Sequence, residues 1–203
     1  VGSRTQSRPW KASRAFNGRG GCANGKCGGL QRPRGAGLAA EMGASYVGVI
    51  FADGPRRISA PQARRILDAA GKAVKHVGVF GTNDPEEIGR VSEEARLDVV
   101  QLQADPSSAD VKAIRQVFRG EIWAAIRISG SHIPHDAETL FDSADGVVLD
   151  ARSEKRLGGT GQPLPWSDLA LDLARDRGSS AVVLAGGLKP TNVESAIRTL
   201  APD

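Results

Sequence analysis

From about Ala36 onward, short apolar runs rich in β-branched residues alternate with segments whose apolar positions repeat at helical spacing. The strand-like runs are Tyr46–Phe51, His76–Phe80, Asp98–Leu102, Ile122–Ile128, Gly146–Leu149 and Ala181–Leu184. Helical periodicity marks Pro61–Ala70, Pro85–Ala95, Ser108–Phe118, Ala137–Phe141, Ser167–Arg175 and Asn192–Leu200. Helix starts are signalled by Ser59 ahead of Ala60-Pro61, by Asp84-Pro85-Glu86-Glu87 and by Thr191 ahead of Asn192-Val193-Glu194. Asp84 and Glu87 also have the spacing of a capping box. Strand landmarks (Phe51, Phe80, Leu102, Ile126, Leu149, Leu184) recur every 22 to 35 residues, the beat of βα units joined by right-handed crossovers. The runs are nearly continuous rather than alternating, as in a parallel sheet covered on both faces. Six such units fit either an open doubly wound sheet or most of an eight-stranded barrel, and periodicity does not choose between them.

Residues 1–25 show neither pattern. This polar, Gly-rich, like-charged stretch buries too little apolar surface to offset its ordering entropy, so it reads as a disordered or non-native tail, with the folded domain over residues 26–203. Charge follows the same division. The chain of 203 residues has a net charge of +4, yet residues 1–40 hold eight basic residues and no acid, leaving 19 basic against 23 acidic groups in the rest. The basic surplus therefore belongs to one end. It could form a nucleic-acid or membrane-surface arm, but it lacks interleaved aromatics and an amphipathic stripe, so no nucleic-acid or membrane partner is expected. No apolar run approaches the roughly 18 residues of a membrane helix. Cys22 and Cys27 are the only cysteines, and no His lies near them, which excludes a four-ligand zinc site and a disulfide framework and suits a cytoplasmic chain.

Candidate chemistry sits just past strand C-termini, where parallel α/β folds place active sites. Asp150 follows Gly146-Val147-Val148-Leu149, and a carboxyl at the edge of an apolar strand is suited to act as a general acid. Leu157-Gly158-Gly159-Thr160-Gly161 and Leu184-Ala185-Gly186-Gly187 are two glycine-rich loops able to bring backbone amides to an anion. Following adjacent strands, they point together to a phosphorylated small molecule. Arg56 and Arg57 lie in the loop after Phe51, where a guanidinium fork suits a carboxylate.

Taken in order, G-A-S-Y-V-G-V-I-F (43–51), P-R-R-I-S (55–59), V-G-V-F (77–80), V-V-Q-L (99–102), V-L-D (148–150), G-G-T-G-Q-P-L-P-W (158–166) and L-A-G-G-L-K-P-T-N-V-E-S-A-I (184–197) resemble the phosphoribosylanthranilate isomerases of tryptophan biosynthesis. The resemblance spans about residues 26–203. It implies an α/β fold, the (β/α)8 TIM barrel, and an Amadori rearrangement of N-(5-phosphoribosyl)anthranilate without metal or organic cofactor. In that scheme Asp150 protonates the furanose ring oxygen, a cysteine at the end of the first strand removes the C2 proton, Arg56 holds the anthranilate carboxylate, and Gly158, Gly159, Gly161, Gly186 and Gly187 hold the phosphate. Cys27 is the cysteine available for the base role.

Three departures from the family pattern are visible. Where relatives read K-[IF]-C-G, this chain reads Lys26-Cys27-Gly28-Gly29, so with Lys26 aligned Gly28 takes the cysteine's place and Cys27 falls one residue early, onto the opposite strand face. Gln101-Leu102-Gln103-Ala104 replaces the usual Q-L-H-G. The sequence ends at Asp203, where relatives continue into an eighth strand and helix, so the barrel is expected to be incomplete, its first strand doubtful. Residues 1–36 further suggest a partly non-native segment, because Arg32-Pro33-Arg34-Gly35 stands where an acidic helix start is expected. The competing reading is a catalytically inactive barrel remnant that still binds phosphate. Nothing in the sequence sets an oligomeric state.

Overall fold

The structure is a computed structural model, and it describes residues 25–128, 130–151, 166–176 and 178–203. The proposed tail over 1–25 lies almost wholly outside these residues, as do Gly158, Gly159 and Gly161. Seven strands follow one another in space as they do in sequence: β1 (Lys26–Cys27), β2 (Tyr46–Ile50), β3 (Lys75–Phe80), β4 (Val99–Leu102), β5 (Glu121–Ile128), β6 (Gly146–Ala151) and β7 (Ala181–Leu184). All neighbours are parallel. A doubly wound sheet reverses its strand order at a switch point. This one advances in a single direction, which is the winding of a (β/α) barrel. Asp203 extends the progression: its amide donates to the Val182 carbonyl at 3.0 Å, and its side chain accepts from the Val182 amide at 2.8 Å.

The helices are α1 (Pro33–Glu41), α2 (Ala60–Asp68), α3 (Pro85–Ala95), α4 (Ser108–Val117), α5 (Leu140–Ser143), α6 (Trp166–Asp176) and α7 (Val193–Leu200). Helix α1 covers residues where the apolar pattern predicts no helix. Pro33 occupies its first turn, where a missing N–H costs nothing. Ala36 and Ala39 are buried on its inner side. Its start was obscured because Arg32, at the N-cap, offers no side-chain acceptor. At α3, Asp84 accepts from the Glu86 amide at 3.1 Å. At α2, the Ser59 amide donates to Gln62 Oε1 at 2.9 Å, the return bond of a capping box. Helix α7 begins after Asn192 rather than Thr191.

The strand pleat sorts the core into two layers. Val47, Val49, Phe80, Val100, Leu102, Ile122, Ala124, Ile126, Val147, Leu149 and Val182 point outward and pack with Ala36, Leu67, Ile88, Ile114 and Leu169 of the helices. Tyr46, Val77, Val99, Trp123, Ala125 and Val148 form a smaller inner cluster. Both faces are therefore dry, which explains the unbroken apolar runs. At the N-terminal end of the inner layer, Lys75 pairs with Glu121, and Tyr46 meets Trp123 edge-on with ring centroids 4.9 Å apart. The C-terminal end is where polar groups converge.

Candidate active site

Parallel register decides which side chains share the sheet interior. Arg127 is opposite Asp150, and Val99 and Gln101 lie opposite Glu121 and Trp123. Two-residue periodicity then puts Gln101 and Gln103, Arg127 and Asp150 on the inner face, toward the C-terminal mouth. Lys26 joins them from β1, because its register partner is the inward Tyr46.

These groups form one connected chain. The Lys26 ammonium donates to Gln101 Oε1; Gln101 Nε2 donates to Gln103 Oε1 at 2.8 Å; Gln103 Nε2 donates to Asp150 Oδ2 at 3.0 Å. An ammonium has only hydrogens to offer, so it orients the first amide, and each amide orients the next. Asp150 thus receives a donor at Oδ2. Burial pushes the Lys26 amine down from 10.5 to about 8, against the opposing pull of the Asp150 carboxylate. The indole of Trp123 lies 5.9 Å from Nζ. Arg127 closes the side of the mouth: Nη2 donates to the Gln103 carbonyl at 3.0 Å, and Nε stands 2.8 Å from Asp105 Oδ1.

Cys27 is not among them. Its register partner is Val47, whose side chain belongs to the outer layer, and Cys27 is exposed. The expectation that Cys27 serves as the base is corrected by this pleat: one residue of offset sends its thiol to the other side of the sheet from Asp150. Gly28 has the inward position.

Arg56 and Arg57 have separate fates. Arg57 is tied to Asp53 at 2.5 Å on the surface. Arg56 leans over the loop after β1, where a Cβ added to Gly29 would come within 2.8 Å of its Nη1. Gly29 also has φ +72°, so glycine serves both the turn and the approach of the guanidinium. Gln31 Nε2 donates to the Pro55 carbonyl at 3.1 Å, pinning the two loops together.

After β7, Gly186 and Gly187 have φ +75° and +66°. Asn192 holds the turn they make, donating to the Gly187 carbonyl at 2.9 Å and accepting from the Lys189 amide at 2.7 Å. The loop leads through the turn at Asn192 into α7, and two left-handed glycines past a strand end suit an anion.

Residues 25–202 match the family model described as N-(5'-phosphoribosyl)anthranilate (PRA) isomerase. The chain belongs to this family. The isomerase of Rubrobacter xylanophilus is 39% identical over 166 residues, covering 81% of this chain and 78% of its own. That of Bacillus velezensis is 31% identical, covering 84% and 79%. Among solved structures, the Thermotoga maritima phosphoribosyl anthranilate isomerase superposes with a TM-score of 0.74 at 32% identity, over 87% of this chain and 83% of that one. Another, with a TM-score of 0.69 at 30% identity and covering 87% and 82%, was solved in complex with reduced 1-(o-carboxyphenylamino)-1-deoxyribulose 5-phosphate. PRA isomerase membership accounts for the barrel winding.

Sequence reasoning did not single out Lys26 or Arg127, and it registered Gln103 only as a lost histidine. Lys26 and Gln103 carried a readable signal, since each is one step of inward periodicity from a residue that was noticed. Arg127 sits inside an otherwise apolar run, Ile122–Ile128, and an isolated charge there is itself a sign of an inward polar site.

Proposed function

We propose that this chain isomerises N-(5-phosphoribosyl)anthranilate to 1-(2-carboxyphenylamino)-1-deoxyribulose 5-phosphate in tryptophan biosynthesis, as its family does, in the cytoplasm and with no cofactor. Asp150, at the mouth beside Arg127 and under the Gln103 amide, is the observation that carries this reading. It delivers a proton to the furanose ring oxygen, the ring opens, and the anthranilate nitrogen forms a Schiff base with C1. Arg56 forks onto the anthranilate carboxylate in this scheme. Gly186 and Gly187, with Gly158, Gly159 and Gly161, hold the phosphate through their amides. Cys27 takes no part in this scheme, because its thiol is on the outer face.

Anthranilate derivatives of this type allow a direct test. Phosphoribosylanthranilate is formed in place and its fluorescence followed after adding the protein. Enzyme-dependent decay is expected, and decay no faster than buffer refutes the isomerase reading in favour of a phosphate-binding barrel without turnover.

A further inference from the structure

An aldose-to-ketose rearrangement must move a proton from C2 to C1, so a base has to face the sugar from the same mouth as Asp150. The inward position above Lys26 is Gly28, which has no side chain. Lys26 fills that space. A Cβ added to Gly28 would meet Lys26 Cε at 3.4 Å, and one added to Gly48 on β2 would meet the same Cε at 3.6 Å. The lysine side chain therefore climbs past two glycines and brings its nitrogen up toward the mouth. There the Gln101–Gln103 pair separates it from Asp150 by two amide side chains, a gap on the scale of a sugar.

We propose that Lys26 is the base that carries the C2 proton in this chain, working opposite Asp150. This rests on the isomerase reading above. Once the Schiff base has formed, the Lys26 amine takes the C2 proton, and the electrons of the broken C–H bond become the C1–C2 double bond while the imine electrons settle on nitrogen. The Lys26 ammonium then returns a proton to C1. The enol oxygen on C2 gives its proton to the Asp150 carboxylate, replacing the one spent on the ring oxygen. Two groups each lend and recover one proton, and the sum is an isomerisation.

The surroundings suit the role. Gln101 Oε1 engages one N–H and so directs the nitrogen. Among the described residues, the charged and titratable groups on the inner face around it are Tyr46 on β2, Lys75 on β3, Glu121 and Arg127 on β5, and Asp150 on β6; the inward residues of β7, Ala181, Val183 and Ala185, carry none. Glu121 is engaged by Lys75, and Arg127 stands at Asp105. Asp150 is thus the carboxylate that acts on Lys26, and burial outweighs it, bringing the amine to about 8, where a usable fraction is neutral at working pH.

The test compares Lys26→Met, Lys26→Ala and Cys27→Ser with the unaltered chain in the fluorescence assay, with circular dichroism as the check on folding. Lys26→Met is expected to lose roughly a hundredfold or more in kcat. Ethylamine should restore Lys26→Ala at least tenfold, in proportion to free amine, whereas Cys27→Ser keeps kcat within about twofold. If the Lys26 variants do not fold, Asp150→Asn decides, because its side chain no longer titrates: the residual kcat/KM should rise about tenfold per pH unit toward a plateau at or below 8. A folded Lys26→Met that retains more than a tenth of the activity, a hundredfold loss in Cys27→Ser, or a flat profile of Asp150→Asn between pH 5 and 9 overturns the assignment. An unaltered chain that does not isomerise at all overturns instead the functional reading beneath it.

Discussion

Asp150 and Arg56 divide the proposed reaction into separable contributions. Asp150 acts on the ring oxygen only as the bond breaks, so Asp150→Asn should lower kcat by about 10²- to 10⁴-fold and change KM little. Arg56 holds a carboxylate that is present in substrate and transition state alike. Removing that uniform interaction with Arg56→Met should raise KM by about 10- to 100-fold, the equivalent of a charged hydrogen bond or two, with kcat nearly unchanged. Steady-state kinetics on the two variants separates the roles. Equal effects of both variants on kcat alone would contradict this division. Neighbouring residues of the same type behave differently for local reasons: Arg57 is held by Asp53 four residues away, while Arg56 projects over Gly29.

At the scale of single elements, close packing sets the tolerances. Gly78 on β3 faces outward, and a Cβ there would fall 2.4 Å from Leu97 Cδ1 and 3.0 Å from the rings of Phe51 and Phe80. Those neighbours are buried and locked into the outer layer. Gly78→Ala should therefore destabilise the fold by about 1–3 kcal/mol, read as a lower urea midpoint with an unchanged slope. The loop between β7 and α7 depends instead on Asn192. Its amide bridges the Gly187 carbonyl and the Lys189 amide, so Asn192→Ala loosens the two left-handed glycines without touching the core. The expected result is weaker phosphate-dependent binding, a several-fold rise in KM, at a stability cost of about 1 kcal/mol. Inorganic phosphate inhibition, measured in both proteins, checks it.

Across the whole molecule, a lysine inside the barrel makes stability depend on pH. The folded-state value near 8 lies below the 10.5 of an exposed lysine. Between the two, the unfolded chain binds more protons, so stability should rise with pH over that window, by about 3 kcal/mol if uncompensated. Below pH 8 the full cost of burying the ammonium is present. Tyr46 acts in the opposite sense. Burial first, and the Glu121 charge second, push its phenol up from 10 to about 12, so above pH 10 the unfolded chain ionises first and stability should fall as pH rises. Urea unfolding between pH 7 and 11 should show a maximum near 10. Lys26→Met should remove the rising limb and Tyr46→Phe the falling one.

The sequence by itself determined the βα rhythm, the strand runs from Tyr46 to Leu184 and the carboxyl of Asp150 at a strand end. Each is a local property: period, β-branched content, or the residue that follows an apolar run. It also contained the clue that Cys27 is out of step, since pleat alternation needs only counting. Tertiary structure alone decided what depends on register between strands distant in sequence. Pairing Lys26 with Tyr46, and Cys27 with Val47, turned an ambiguous Lys-Cys-Gly-Gly stretch into an inward amine, an outward thiol and an inward glycine. It likewise decided that Gln101, Gln103 and Asp150, separated by up to 49 positions, join Lys26 in one hydrogen-bonded chain. Helix α1 became visible only by its packing, because its N-cap lacks an acceptor and its stabilisation comes from burying Ala36 and Ala39 against the sheet. Periodicity names the face a residue belongs to only after a neighbouring strand has defined which face is the inside.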